Sequence, residues 1–409
     1  MPTQTCEPLN AETLQGWKYF RRLTPLLARL RDAGCARDKA GNRTLHYDQY
    51  CTLILLALFT PLVRSLRGLS QASRLDKVQK DLGVRQAALG SLSEAAHVFD
   101  PDLLLPIIAE LNGQLRPHAT DPRLRDLRHI VTAVDSTLVQ TLPRLTEAMY
   151  SRTKNSQTRF YWRLHTHFEI ERHVPVRIDA TDPAGRDHSD EKDVLRRNLQ
   201  ADHCYVLDRG FAQFRLFNDI GAAQSSYVCR IRDNSNLEIV HDRPLTEAAR
   251  GAGVIQDAVV QLGLGSKPAA RPDHAVRLVV VAVAAHEKRG GRKGKTAGPA
   301  STGELLLATN LLDVPAEIIA LLYRYRWLIE IFFRFFKHVL GCQHLLSATP
   351  DGIAIQAYCA LIACLLISLW TECKPTLRTY EMLGWYFLGW ASEAELRAHL
   401  EKLKKRPAA

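Results

Sequence analysis

No two of the nine cysteines stand as C-x-x-C, and their number is odd. That pattern offers neither a disulfide framework nor a zinc site, and reduced thiols in a cytoplasm are the simplest account. No P-loop occurs. Gly251-Ala-Gly253 and Gly263-Leu-Gly265 read as turns, so no nucleotide partner is expected. The N-terminal stretch has no signal-peptide pattern, because Glu7, Glu12, Lys18 and Arg21 interrupt it. Aromatic residues are missing from Asp233 to Leu322. Long apolar runs are scarce. The one candidate, Ile353 to Trp370, has only Gln356 and Ser368 clearly polar, with Asp351 and Glu372 beside it. A membrane span needs about 20 such residues and usually basic flanks, so a buried core helix is expected and no membrane contact.

What the sequence does hold is positive charge. Lys and Arg number 54 against 43 Asp and Glu, a net +11. Such an excess favours a polyanionic partner, nucleic acid first, although a merely basic enzyme fits as well. At 409 residues there is room for two or three domains. Residues from about 12 to 120 read as helical. Tyr50 to Phe59 is apolar nearly all round, and Arg21, Arg22, Arg29, Arg31, Arg64, Arg67 and Arg74 are scattered about it. This suits a DNA-binding module and also a plain helical bundle.

From residue 128 the pattern turns to strands. Arg128 to Val134 is β-rich and leads into Asp135. Arg159 to Glu171 and Val174 to Thr181 follow, the first alternating with period two. Next come a helix over Asp190 to Leu199, a short strand Cys204 to Leu207 ending at Asp208, a helix over Ala212 to Ala222, and a strand Tyr227 to Ile231. Three strands followed by alternating helix and strand is the ribonuclease-H-like order. It predicts Asp135 and Asp208 at the C-terminal ends of strands, where α/β sheets present functional groups. Residues 233–307 look inserted. They include a strand over Ala275 to Ala285 and a basic, Gly-rich stretch with Lys288, Arg289, Arg292, Lys293 and Lys295, either a DNA-backbone clamp or a solvated loop.

A strong helix is predicted from about Pro315 to Leu340, followed by the apolar helix and a last one near 391–405. On a helical wheel Tyr323, Arg326, Glu330 and Lys337 share a stripe about 60° wide, with apolar residues around most of the rest. Arg326 and Arg334 lie four residues either side of Glu330, so a salt-bridged surface stripe is the plain alternative. His165, His167 and Glu169 share one strand face, read as a solvent-facing edge rather than a metal site. Asp182, Asp187, His188 and Asp190 crowd one loop. Ser189 or Asp190 is expected to cap the next helix, and Asp182 is the rival to Asp135.

Tyr323-x2-Arg326-x3-Glu330-x6-Lys337 resembles the Y-R-E-K signature of insertion-sequence transposases of the DDE class. Ala-Val-Asp135-Ser-Thr and Leu-Asp208-Arg-Gly-Phe resemble that family's first and second aspartate motifs. Tyr227-Val-Cys-Arg230 resembles its aromatic-Val-Thr-Arg strand, with Cys229 in place of Thr. Thr309-Asn310 and the Ser65–Ala95 stretch also fit, so the resemblance runs from about 45 to 345.

The resemblance implies an α/β chain with a ribonuclease-H-like mixed sheet flanked by helices. It divides as a helical N-terminal DNA-binding domain (1–122), a first core part (123–232), a β-rich insertion (233–307), the final acidic helix (308–345) and a C-terminal helical region (346–409). It implies cut-and-paste DNA transposition by Asp135, Asp208 and Glu330. These acids would hold two Mg²⁺ ions about 3.5–4 Å apart, or Mn²⁺ as substitute. Tyr323, Arg326, Lys337, Arg209 and Arg230 would contact DNA phosphate. Partners would be double-stranded DNA at the transposon ends and target, with a homodimer assembled on it. The location would be cytoplasmic, at the nucleoid when on DNA. Metal and DNA are expected to bind cooperatively, since bare acids repel phosphate. A degenerate DNA-binding regulator and a structure-specific nuclease on the same core are the rivals. One departure concerns the aromatic-free insertion. Relatives that cut through DNA hairpins can stack a flipped base on an aromatic there, and here only Trp162 or Trp327 could substitute.

Overall fold

The computed structural model describes residues 23–33, 36–39, 41–60, 63–116, 121–141, 149–152, 158–181, 190–265, 267, 271–283, 303–338, 340, 342, 345–347, 349–372 and 376–404. Among the described residues seven α-helices come first: α1 (Thr24–Ala28), α2 (Leu30–Ala33), α3 (Tyr47–Phe59), α4 (Leu66–Ala72), α5 (Asp76–Leu82), α6 (Leu89–Val98) and α7 (Leu105–Gln114). Side-chain chemistry sets their ends. Ser65 caps α4 by accepting from the Gly68 amide, and α5 stops at Gly83, which takes the left-handed conformation. α3 is buried on every side, as its all-round apolar pattern requires.

The strands are β1 (Ile130–Thr141), β2 (Met149–Arg152), β3 (Thr158–Glu169) and β4 (Val174–Thr181). After α8 (Glu191–Arg197) comes β5 (His203–Leu207), and after α9 (Phe214–Ala222) comes β6 (Ser226–Arg230). β1 pairs antiparallel with β3, and β3 antiparallel with β4, while β5 runs parallel to β1 and β6 parallel to β5. The spatial order β4-β3-β1-β5-β6 is therefore the ribonuclease-H-like arrangement expected above. β2, absent from the expected order, adds a short pairing to β3.

The inserted segment holds β7 (Leu237–Asp242), α10 (Glu247–Gly251), β8 (Val254–Leu262), β9 (Val276–Ala282) and, at its end, β10 (Glu304–Thr309). It continues the main sheet: β10 pairs with β6, then β9, β8 and β7 follow, all antiparallel. Buried Arg277 joins this extension to what comes next. It makes a double hydrogen bond to Asp257 and donates to the carbonyls of Leu311, Leu312 and Val314.

Next come α11 (Ala316–Tyr325), α12 (Trp327–His338), α13 (Pro350–Thr371), α14 (Leu377–Phe387) and α15 (Glu393–Lys404). The single helix expected from 315 to 340 is thus two. At the junction the Arg326 amide bonds back to Tyr323 and the Ile329 amide to Arg326, three residues rather than four. α13 is the apolar run, and 83% of its most apolar window is buried. It packs on β4 and on α3, α6 and α7, which joins the C-terminal region to the N-terminal helices. The fit is close at Gly352, where an added Cβ would lie 2.1 Å from Ser347 Oγ and 2.7 Å from Ala96 Cβ.

Both faces of the sheet are covered at its centre, so β5 is buried at every residue. One face, with Val134, Tyr205, Leu207 and Tyr227, packs on α8 and α9. The other, with Val131, Ala133, Val206 and Val228, packs on α11, α12 and the N-terminal helices. This burial corrects the reading of His165, His167 and Glu169 as a solvent-facing edge. β3 is an interior strand between β1 and β4, and the three residues are 2%, 5% and 5% exposed. His165 bonds Thr181 at 2.8 Å, His167 meets Tyr205 edge-on, and Glu169 pairs with Arg172.

Candidate active site

Strand register brings the two aspartates together. Val134 lies beside Leu207 in the parallel β1–β5 pair, so Asp135 and Asp208 follow side by side. Asp208 stands directly after β5, as expected. Asp135 does not end its strand, because β1 continues six residues further, held by β3. The parallel neighbour stops instead, and that opens the sheet at Asp135.

Asp135 shares its face with Ala133, the face on which α11 and α12 pack, and there Arg326 meets it. Arg326 Nη1 is 3.5 Å from Asp135 Oδ2 and Nη2 is 2.6 Å from Glu330 Oε1. The tight junction between the helices puts Arg326 at this point, with one helix on each side of it. The Tyr323 hydroxyl donates to Asp208 Oδ1 at 3.4 Å, and the Arg326 guanidinium lies over the Tyr323 ring at 5.9 Å. Two donors from one sequence stripe therefore link all three acids. The wheel put Glu330 between two arginines; only Arg326 pairs with it, while Arg334 lies over the Trp327 ring at 5.8 Å.

The electrostatics match a charged, half-buried cluster. Burial pushes the Asp135 carboxyl up to about 6. The Ser136 amide at 2.8 Å and Arg326 oppose the rise, and Asp208 and Glu191 add to it. Burial and Asp208 push Tyr323 up to about 12. For Arg326 burial works against the charge, but Glu330, Tyr323 and Asp208 outweigh it and hold the guanidinium above its ordinary range. Two cations here carry unspent donors: the Nε atoms of Arg230 and Arg326 are buried with no partner. Buried N–H groups are seldom left unpaired, and these suit an incoming anion.

Among the described residues, no three of His, Cys, Asp or Glu converge closely enough to ligate an ion as they stand. A guanidinium lies among the acids instead. The donor set itself, carboxylate oxygen without nitrogen or sulfur, suits a hard divalent ion.

The other expected residues fall as follows. Arg209 is exposed in the turn after Asp208. Arg230 ends β6, near enough to Tyr323 to influence its charge. Lys337 is half-buried on α12 with its pKa lowered by burial, and no contact joins it to the acids. Asp190 takes the N-cap position of α8 without a side-chain cap and pairs with Lys192. Lys288, Arg289, Arg292, Lys293, Lys295, Asp182, Asp187, His188 and Ser189 lie outside the described residues. Trp162 is 2% exposed and packs on Ile353, so it offers no face for stacking; Trp327 is 48% exposed.

Sequence reasoning missed Glu191. Its Oε1 accepts from Ser136 Oγ at 2.5 Å and pairs with Arg163 at 3.2 Å, just behind Asp135. An acid in a first helical turn reads as complementing the helix dipole, which hid it. A cavity of about 670 Å³ adjoins the cluster. Tyr323, Arg326, Trp327, Arg324 and Glu317 line part of it.

Residues 126–366, more than half of the chain, match the family described as "Transposase DDE domain". A protein of Sinorhizobium fredii named as transposase y4zB is 27% identical over 209 residues, 51% of this chain and 52% of its own length. One of Geobacillus stearothermophilus, named as the transposase of insertion sequence element IS5377, is 27% identical over 267 residues, 65% of this chain and 61% of its own. The chain thus spans little more than half the length of these curated relatives. Among solved structures, a piggyBac transposase synaptic complex with hairpin DNA aligns over 100% of this chain and 88% of that one. Its TM-score of 0.40 and 10% identity are below the level at which a shared fold follows.

Proposed function

The chain belongs to the DDE transposase domain family, and from that membership we propose a DNA transposase that cuts phosphodiesters at transposon ends and joins the freed 3′-hydroxyl to target DNA. The observation that carries this reading is that two neighbouring side chains link the three acids: Arg326 pairs with Asp135 and Glu330, and the Tyr323 hydroxyl donates to Asp208. A surface stripe needs no such meeting, and a pure DNA binder gains nothing from acids turned toward phosphate.

The three acids would hold the divalent metal that the family generally uses, Mg²⁺ with Mn²⁺ as substitute, two ions per site. Bound there, the metal would lower the pKa of the attacking water or hydroxyl and offset charge on the leaving oxygen. The protein's own groups do the rest. Arg326 and Arg230 offer unspent Nε donors, and Arg grips phosphate through parallel hydrogen bonds. The Tyr323 hydroxyl orients Asp208 or a phosphate oxygen. Arg209, exposed beside Asp208, and Lys337 add positive charge along the same track. The basic residues at 288–295 would clamp the DNA backbone, and the N-terminal helices would bind the ends. Two ends cut together imply a dimer on DNA.

Labelled end DNA with Mg²⁺ tests the proposal. Cleavage and joining are expected from the wild type and a loss of about 10³-fold or more from D135N, D208N or E330Q. Hydrolysis without joining would favour a nuclease, and binding without cleavage a regulator.

A further inference from the structure

We infer that Arg326 is an internal counter-ion of the acid cluster, one that a divalent cation must displace and a DNA phosphate can draw away. The inference rests on the proposed role of Asp135, Asp208 and Glu330 as metal ligands. Arg326 spans two of them, 2.6 Å from Glu330 Oε1 and 3.5 Å from Asp135 Oδ2. Only 14% of its side chain is exposed, against 27% for Asp135 and 31% for Glu330. Charge and position are therefore those of a cation held between carboxylates, and among the described residues no three acids converge on a common point.

Chemistry makes the two cations exclusive. A guanidinium that donates to Glu330 and faces Asp135 uses the oxygen lone pairs a metal would need. A divalent ion carries the greater charge, yet to enter it must leave Arg326 half-buried without its carboxylate partners, which is costly for a desolvated charge. A phosphate removes that cost. The Nε of Arg326 is already buried and unbonded, so the group has donors to offer a phosphate that its carboxylate partners do not satisfy. Phosphate also restores the planar two-point match that arginine favours. The ion then occupies the acids and the arginine occupies the DNA. Each binding event favours the other, because both displace the same ion pair. This gives the expected cooperativity of metal and DNA a residue that carries it. It also withholds metal from the site until DNA arrives.

The test is Mn²⁺ binding to the full chain, read from the electron paramagnetic resonance of free Mn²⁺, with and without a generic DNA duplex. R326A is expected to bind Mn²⁺ about tenfold tighter than wild type without DNA, the worth of one charge-assisted hydrogen bond removed from the metal-free state. R334A removes the same charge eight residues on, one turn beyond Glu330, where the side chain lies over Trp327 rather than against an acid. It should shift affinity by no more than about twofold. Duplex should tighten Mn²⁺ binding to wild type and add nothing to R326A. Unchanged or weaker binding by R326A overturns the inference, as does equal tightening by R334A. Should R326A fail to fold by circular dichroism, the wild-type arm decides: no tightening by duplex overturns it. D135N separates the two levels. If D135N binds Mn²⁺ as wild type does, the metal-site reading itself fails; if D135N abolishes binding while R326A does not tighten it, only the counter-ion role fails.

Discussion

Arg277 ties the inserted segment to the turn that leads into α11, and its loss should be severe. Its side chain is 2% exposed and its partner Asp257 is 5% exposed. Replacing it with methionine keeps much of the volume and removes five hydrogen bonds. Two go to Asp257, at 2.7 and 2.8 Å, and three to the carbonyls of Leu311, Leu312 and Val314. A buried carboxylate and three carbonyls are then left short of partners. Breaking a buried ion pair from one side costs about 3–5 kcal/mol. Arg243, 3.7 Å from Asp257 and partly exposed, offsets only part of this. The opposite change, D257A, leaves a buried guanidinium that keeps its three carbonyl acceptors and should cost toward the lower end of that range, about 3 kcal/mol. Urea unfolding of R277M, D257A and the double variant measures the asymmetry, with R277M the most harmful single change. The turn at 311–314 leads into α11, so R277M should also impair the Tyr323 and Arg326 placement in molecules that remain folded. If R277M costs less than about 1 kcal/mol, or D257A costs more than R277M, the account of this pair is wrong.

Further predictions concern the core, acid stability and salt. G352A forces a Cβ into Ser347 and Ala96 and should destabilise by about 1–3 kcal/mol in the same urea assay. Burial lowers His165 to about 4 and His167 to about 3. The unfolded chain then binds the more protons below its ordinary histidine pKa. Stability is full above about pH 6.5 and falls as pH drops from there toward 4 and 3, and H167F should flatten that slope in melting curves. Asp135 has the opposite sign: its raised pKa means ionisation near neutrality opposes folding. D135N should therefore melt higher than wild type at pH 7.5, and a lower melting point would contradict the burial argument. Replacing the five basic residues at 288–295 with alanine should reduce the slope of log affinity against log salt by about 0.9 for each phosphate they neutralise.

Much of the site was legible because its signals are local. Period-two alternation marked β3, and the spacing of Tyr323, Arg326 and Glu330 placed them on one stripe, where the structure joins them to the two aspartates. The break at Arg326 was not legible. No Gly or Pro interrupts 316–338, and the tightening there comes with packing between sheet and helices. Asp135 was read as a strand end because its apolar run stops there, but pairing to β3 carries β1 onward regardless. The histidines on β3 looked solvated by alternation alone. Burial on both faces is a property of the assembled layers, and no single strand encodes it. Glu191 escaped because its partners, Ser136 and Arg163, are remote in sequence.

We propose that Asp135, Asp208 and Glu330, met by Arg326 and Tyr323, perform DNA strand transfer. The most direct measurement is the yield of joined product from labelled end DNA and a target duplex with Mg²⁺, comparing the wild type with E330Q. The account predicts joined product from the wild type and a loss of about 10³-fold or more in E330Q, with end binding retained. Joining by E330Q at the wild-type level would contradict it.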